Sequence, residues 1–311
     1  MKRFVIALAI AFVASAGMMG SAMAQKVGVC MAYFDDLFLT NLREAMSAEA
    51  KEKGVKLQFE DAQGDIGKQL SQIQNFIAQK VDAIVVNPVD SSATAQMTKL
   101  IQGAGIPLVY VNRAPLEPLK PGEPVVYVGS DENVSGKLEA EALAKLLNNK
   151  GNVVIMMGEL ATQAAILRTE SSEKVFAEHP DIKVVQKQTA NWRRNEAIDL
   201  MNNWLVAGTK IDAVCANNDE MAIGAIIALQ QAGKDPKKIF VGGVDATRDA
   251  LSEMQKGNLA VTVFQDAKGQ GKAVVESVAK LLKKEKFESP YVYVPFQLVT
   301  QENYKEFLEK L

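Results

Sequence analysis

IDAVCANNDEM, Ile211 to Met221, is an apolar run that stops abruptly at two amides and an acid, just ahead of a helical pattern. Such a run reads as a strand buried on both faces of a parallel sheet, delivering polar side chains at its carboxyl end. Open α/β sheets bind ligands at those ends. The stretch has an echo upstream, because VDAIVVNPVD, Val81 to Asp90, repeats the order of apolar run, asparagine, acid and helix. The chain therefore reads as two related halves.

A true duplication matches over several elements. LQFEDAQGD from Leu57 answers VVQKQTANW from Val184, and IPLVYVNRA from Ile106 answers KIFVGGVDA from Lys238. In the first half a strand from Lys26 precedes a helix from about Phe38 to Lys53, stopped by Gly54. A second helix, Ile66 to Gln79, puts Leu70, Ile73, Phe76 and Ile77 on one face. Ser91 or Ser92 caps a third helix ending near Gly103, and Ile106 to Asn112 is a strand. From about Asn133 the alternation starts again. Strands alternating with helices give parallel sheets, so each half is expected to be a doubly wound, Rossmann-like lobe.

The tail complicates a division in two. A helix at about Lys268 to Lys284 is expected to return to the first lobe, and YVYVPFQLV, read as one strand, to the second. The expected organisation is residues 25–130 plus 266–290 in one lobe and 131–265 plus 291–311 in the other. Three crossings, near Ser130, Gln265 and Tyr291, form the hinge.

The first 24 residues stand apart. Lys2 and Arg3 precede an apolar run from Phe4 to about Ala16, then small residues lead to Ala22-Met23-Ala24 before Gln25. This is the pattern of a cleaved secretory signal peptide, and the run is too short for a membrane anchor of about 20 apolar residues. Its removal takes two of 35 basic residues, leaving 33 against 37 acidic ones, a formal charge of −4. Nothing in that balance invites nucleic acid or an anionic membrane. Cys30 and Cys215 each sit in an apolar strand pattern, one per lobe, and read as buried unpaired thiols. The single histidine, His179, lies in a polar stretch and reads as surface.

Six segments together resemble the type I periplasmic sugar-binding proteins, nearest the galactose/glucose- and ribose-binding members. They are FDDLF at Phe34, VYVNRAP at Val109, TANWRRNEA at Thr189, ANNDEMAIGA at Ala216, GGVDA at Gly242 and VTVFQDAKGQG at Val261. The order and intervals carry the resemblance, which covers nearly all of the chain after residue 24. It implies a periplasmic receptor of an ABC transporter that closes on its ligand and delivers it to an inner-membrane permease, possible chemoreceptor contacts included. It also implies a monomer without cofactor.

Candidate ligand contacts are Asp36, Asn112, Arg113, Asn218, Asp245 and Gln265, each at or just after a strand end, with Arg168 on a helix facing the same region. These planar groups match vicinal hydroxyls: carboxylates accept, guanidinium donates and amides do both. The resemblance adds Phe38 and Trp192 as rings flanking a sugar. Taken singly, Asp90 and Asp219 read as helix caps, and a lone tryptophan is more often core.

The match breaks at GELATQAAILR, Gly158 to Arg168, where two polar partners of the galactose/glucose binder are replaced by Thr162 and Ala164. Ala32 likewise replaces an aromatic. LNNKGNV, Leu147 to Val153, is too short and acid-poor for that protein's calcium loop, so no metal is expected. GEL followed by Ala-Ala and Arg, with TANW and VFQDAKGQGK, resembles the inositol-binding branch. That favours a cyclitol, myo-inositol first, with ribose, xylose or galactose as the alternative.

Two other classes fit less well. A transcription repressor core shares this architecture, but a signal peptide stands where a helix-turn-helix would be. An enzyme is disfavoured because no Ser/His/acid set or Walker spacing is present, although Asp36 and Asp245 could be imagined as a glycosidase pair.

Overall fold

The computed structural model describes residues 25–310. The expected signal peptide, residues 1–24, lies outside the described residues.

The first run of elements is β1 (Lys26–Met31), α1 (Leu37–Lys53), β2 (Lys56–Asp61), α2 (Ile66–Ala78), β3 (Ala83–Val86), α3 (Thr94–Gly103), β4 (Leu108–Val111) and β5 (Val125–Gly129). The second is α4 (Glu132–Leu146), β6 (Gly151–Met157), α5 (Gln163–Ala177), β7 (Ile182–Thr189), α6 (Arg194–Val206), β8 (Ala213–Ala216), α7 (Asp219–Gln231), β9 (Phe240–Gly242), α8 (Arg248–Lys256) and β10 (Val261–Phe264). The chain ends with α9 (Ala267–Leu282), β11 (Tyr291–Tyr293), β12 (Gln297–Thr300) and α10 (Tyr304–Leu308).

These strands form two six-stranded sheets, ordered β2-β1-β3-β4-β5-β11 and β7-β6-β8-β9-β10-β12. All pairings are parallel except β10 with β12. The order reverses between β1 and β3 and between β6 and β8, which opens a crevice at the strands' carboxyl ends. Every residue of β3 and of β8 is buried, as continuous apolar runs flanked by helices on both faces require.

The repeat seen in the sequence is repeated in hydrogen bonds. Asn87, just past β3, accepts on Oδ1 from the backbone N–H of Ala32, just past β1, at 3.3 Å. Asn217, just past β8, accepts in the same way from Gly158 N–H, just past β6, at 3.1 Å. In both lobes a buried amide thus ties the two strands at the switch point and satisfies a backbone donor that the sheet leaves free.

Two sequence expectations are corrected. The third helix is capped by neither serine; Asp90 Oδ1 accepts from Ser92 N–H at 2.7 Å, Ser91–Ala93 form a 3-10 turn, and α3 begins at Thr94. YVYVPFQLV is not one strand of the second lobe. Its first part, β11, pairs with β5 in the first sheet and its second, β12, with β10 in the second. Pro295, which has no N–H for a ladder, sits at the break. The third crossing therefore falls at Val294–Phe296, past the expected Tyr291.

The helix α9 packs on α1, where Gly271 lies against Ala45 and Met46, so it belongs with the first sheet. Ser130 ties the crossings together: its hydroxyl donates to Val294 C=O at 2.6 Å and accepts from Gln270 Nε2 at 3.2 Å. Cys30 and Cys215 are free and buried, one in each sheet. Among the described residues no helix is long and apolar enough to cross a membrane.

Gly136 in α4 lies against the backbone carbonyl of Arg168 in α5, with no room for a Cβ. Gly136→Ala is expected to force α4 off α5 and to lower stability by about 1 to 3 kcal/mol, as overpacking does. Urea unfolding of the two proteins measures this, and an unchanged midpoint would contradict the close approach.

Candidate functional site

The lobes meet around a cavity of about 370 Å³, counted with its opening to solvent and lined by Asp36, Phe38, Leu39, Asn112, Arg113, Ala164, Arg168, Trp192, Asn218, Asp245 and Gln265. All nine sequence-derived candidates stand on this one surface. Leu39 was not among them; it is the residue whose N–H the Asp36 cap holds, so it follows Asp36 into the cleft.

The two arginines are buried, Arg113 at 5% and Arg168 at 4% exposure, and each is held by partners before any ligand is considered. Arg168 donates from Nε to Glu132 at 2.6 Å, from Nη1 to Asn217 C=O at 2.7 Å and from Nη2 to Gln265 Oε1 at 3.3 Å. Arg113 donates from Nη1 to the carbonyls of Pro88 and Val89 at 3.3 and 3.4 Å, and its Nη2 lies 3.2 Å from Glu159. Neither Glu132 nor Glu159 was among the sequence-derived candidates. The available signal was the arginines themselves, because a buried guanidinium requires a carboxylate.

Trp192 sits with its backbone in the left-handed region, φ 66°, and its ring fills the place where a Cβ on Gly158 would be. The Arg168 guanidinium lies 5.5 Å from that ring's centroid and 5.8 Å from that of Phe296, close enough for cation–π attraction. Asn112 and Asp245 also have positive φ, 63° and 119°. Backbone strain of this kind collects at functional sites, where surrounding structure enforces it.

A model of the periplasmic binding protein domain matches residues 27–286. The chain belongs to this family. The periplasmic binding protein is 51% identical, over the full length of both chains, to a putative rhizopine-binding protein of Rhizobium meliloti. It is 35% identical to the xylitol-binding protein of Mycolicibacterium smegmatis, over 90% of this chain and 78% of the other. A solved ABC transporter solute-binding protein of Bacillus halodurans with bound myo-inositol superposes with TM-score 0.88 at 43% identity, covering 94% of this chain and all of that one. Membership makes the chain a solute-binding protein of the periplasm and not an enzyme.

Within the binding protein, the polar residues divide between holding the fold and facing the cavity. Asp36 caps α1, accepting from Leu39 N–H at 2.8 Å, and burial pushes its carboxyl above the usual range. Asn218 was read as a contact and Asp219, taken singly, as a helix cap. The structure makes Asn218 itself the cap of α7, accepting from Met221 N–H at 3.0 Å and donating to Trp192 C=O at 3.2 Å. Asp219 instead accepts from Thr262 Oγ1 and Thr247 N–H, each at 2.7 Å, and Glu220 pairs with Arg194. Burial raises Asp245 well above the ordinary range, against the lowering effect of Arg168. For Arg168, burial works against the charge, but Glu132, Asp245 and Glu139 together outweigh it and the pKa is raised. Two buried donors on cavity residues, Trp192 Nε1 and Gln265 Nε2, have no hydrogen-bond partner in the protein. Among the described residues no group of three or more His, Cys, Asp or Glu is arranged to hold a metal ion.

Behind the site Glu139 accepts from Ala216 N–H at 2.9 Å, and burial pushes its pKa from 4.5 up to about 8. A raised carboxyl favours the fold fully below its unfolded pKa and loses that contribution as pH rises through the folded value. Glu139→Gln abolishes this titration, while Asp219, raised to about 7, remains in both proteins. The Tm of Glu139→Gln relative to the unmodified protein is therefore expected to rise between about pH 5 and pH 8. A pH-independent difference would show that Glu139 is ionised in the fold.

Proposed function

We propose that the protein is the substrate-binding component of an ABC transporter, secreted with residues 1–24 removed, that captures a polyol or sugar between its lobes and delivers it to an inner-membrane permease. Myo-inositol is the favoured ligand. The observation that carries this reading is the unfinished hydrogen bonding of the cavity. Trp192 Nε1 and Gln265 Nε2 are buried donors without protein partners, and Asp36 and Asp245, one from each lobe, are buried carboxylates lining the same cavity. A buried polar group left unpaired costs about 1 to 3 kcal/mol, so the site favours a ligand presenting acceptors and hydroxyl donors together.

Each lobe contributes one ring, Phe38 from α1 and Trp192 from the loop after β7. Two aromatic faces bury the C–H surfaces of a ring and leave its hydroxyls to the polar wall. Asp36, Asn112, Arg113, Arg168, Asn218, Asp245 and Gln265 supply that wall. The similarity to the Bacillus halodurans protein with bound myo-inositol supports a cyclitol. An open-chain polyol is the second reading, favoured by the xylitol-binding relative. Contacts from both lobes favour the closed form by hinge bending at the three crossings.

Calorimetric titration with myo-inositol, xylitol, ribose, xylose and galactose is expected to give the highest affinity for myo-inositol; a clear preference for a pentose would overturn the ligand and leave the class. Asp245→Asn tests the site. Losing a charged hydrogen bond worth about 1.5 to 3 kcal/mol weakens binding at least about tenfold. The same change removes a carboxyl that burial disfavours and places asparagine, which tolerates positive φ, at a strained position, so the ligand-free Tm is expected to rise. Unchanged affinity would remove Asp245 from the site.

A further inference from the structure

We propose that Glu159 is a positioning residue that latches the lobes: from the second lobe its carboxylate holds Arg113 in the cleft and Tyr33 at its rim, and its release governs how fast ligand leaves. The latch rests on the ligand reading above.

Glu159 follows β6, whereas Tyr33 follows β1 and Arg113 follows β4, so both of its partners belong to the opposite sheet. Tyr33 donates its hydroxyl to Oε1 at 2.7 Å, and Arg113 Nη2 lies 3.2 Å from Oε2. One carboxylate thus spans two first-lobe side chains. In its own lobe Arg113 hydrogen-bonds to two carbonyls, so its ion pair comes from across the cleft. Side-chain exposures of 6% for Arg113 and 16% for Glu159 leave little water to screen the pair.

The surroundings reinforce the bridge. The Tyr33 ring lies 5.7 Å from the guanidinium of Arg113 and 5.5 Å from that of Arg193, one cation from each lobe. Nearby, Ser91 N–H donates to Ala161 C=O at 3.0 Å, and Gln163 N–H donates to Ser91 Oγ at 3.2 Å, so the loop carrying Glu159 is seated on the first lobe. Outside the bridge is a second cavity of about 690 Å³, counted with open solvent, which shares Asp36 and Trp192 with the inner one. Tyr33 and Glu159 line this outer cavity and Arg113 lines the inner one, so the bridge stands between them. Bound ligand in the inner cavity touches the same Arg113 that the latch holds. Closure and ligand retention are therefore coupled through one guanidinium.

Glu159→Gln keeps an acceptor for Tyr33 and loses the ion pair; Tyr33→Phe keeps the ring and loses the hydrogen bond. Stopped-flow tryptophan fluorescence with myo-inositol is expected to show dissociation about tenfold faster in Glu159→Gln and several-fold faster in Tyr33→Phe, with association changed less than about twofold, because bonds formed late in closure act on the off-rate. A merely structural role would lower Tm without this split. In parallel, spin labels at one exposed site in each lobe report the interlobe distance with and without myo-inositol. The closed fraction is expected to be smaller in Glu159→Gln under both conditions. Equal off-rates and equal distance distributions would overturn the latch. If the unmodified protein binds no myo-inositol, the ligand reading fails. The ligand-free distributions then decide alone: a closed fraction lost in Glu159→Gln supports the latch, and identical distributions overturn it.

Discussion

The arrangement depends on one buried charge. Taking a guanidinium out of water costs several kcal/mol unless its donors are matched, and Arg168 has three of its five N–H donors held by the protein. Its partners come from separate parts of the chain: Glu132 from the start of α4, Asn217 from the loop after β8, and Gln265 from the end of β10. Glu132 lies two residues past Ser130 and Gln265 just before α9, so two of the three partners sit at crossings between the lobes. A buried arginine that lines the cavity is thereby anchored to the hinge. Its orientation is set by the second lobe before ligand arrives, which reduces what must be ordered on binding.

Arg113 follows a different design. Its own lobe supplies carbonyl oxygens, and its carboxylate partner, Glu159, comes from the other lobe. One arginine is therefore prepared within its lobe and the other is completed by closure. The asymmetry is notable because the two lobes are otherwise repeats, down to Asn87 and Asn217 bridging equivalent strand ends. A duplicated fold supplies two similar walls; unequal completion of their arginines makes one wall a template and the other a lid.

Much of this was legible in the residues alone, and the reasons are physical. A buried parallel strand must be apolar throughout, so its carboxyl end shows as a sudden change of composition; that change located Asn112, Asn218, Asp245 and Gln265. Less legible was what each polar atom does there. Asn218 caps a helix while lining the cavity, and the sequence cannot divide one side chain between two tasks. The roles of Glu132 and Glu159 could not be read for another reason: they follow strands as ordinary surface acids do, and only the arginines' positions in space explain them. The last strand was misread because YVYVPFQLV alternates well on both sides of Pro295, and the proline marks a change of sheet and not an end.

Those limits bear on specificity. The wall's hydrogen bonds are already largely committed: Asn218 to a cap, Gln265 Oε1 to Arg168, Asp36 Oδ1 to Leu39. What remains for a ligand includes the donors Trp192 Nε1 and Gln265 Nε2, which have no partner in the protein, and what Asp36 and Asp245 have left to accept with. Ala164 adds no polar group on its side of the cavity, where a longer polar residue would. Discrimination among polyols then comes less from how many hydroxyls a ligand carries than from whether they can meet these fixed directions at once. An analogue missing one of them leaves a buried group unpaired, at a cost of about 1 to 3 kcal/mol, and this penalty separates close relatives more sharply than an added contact would.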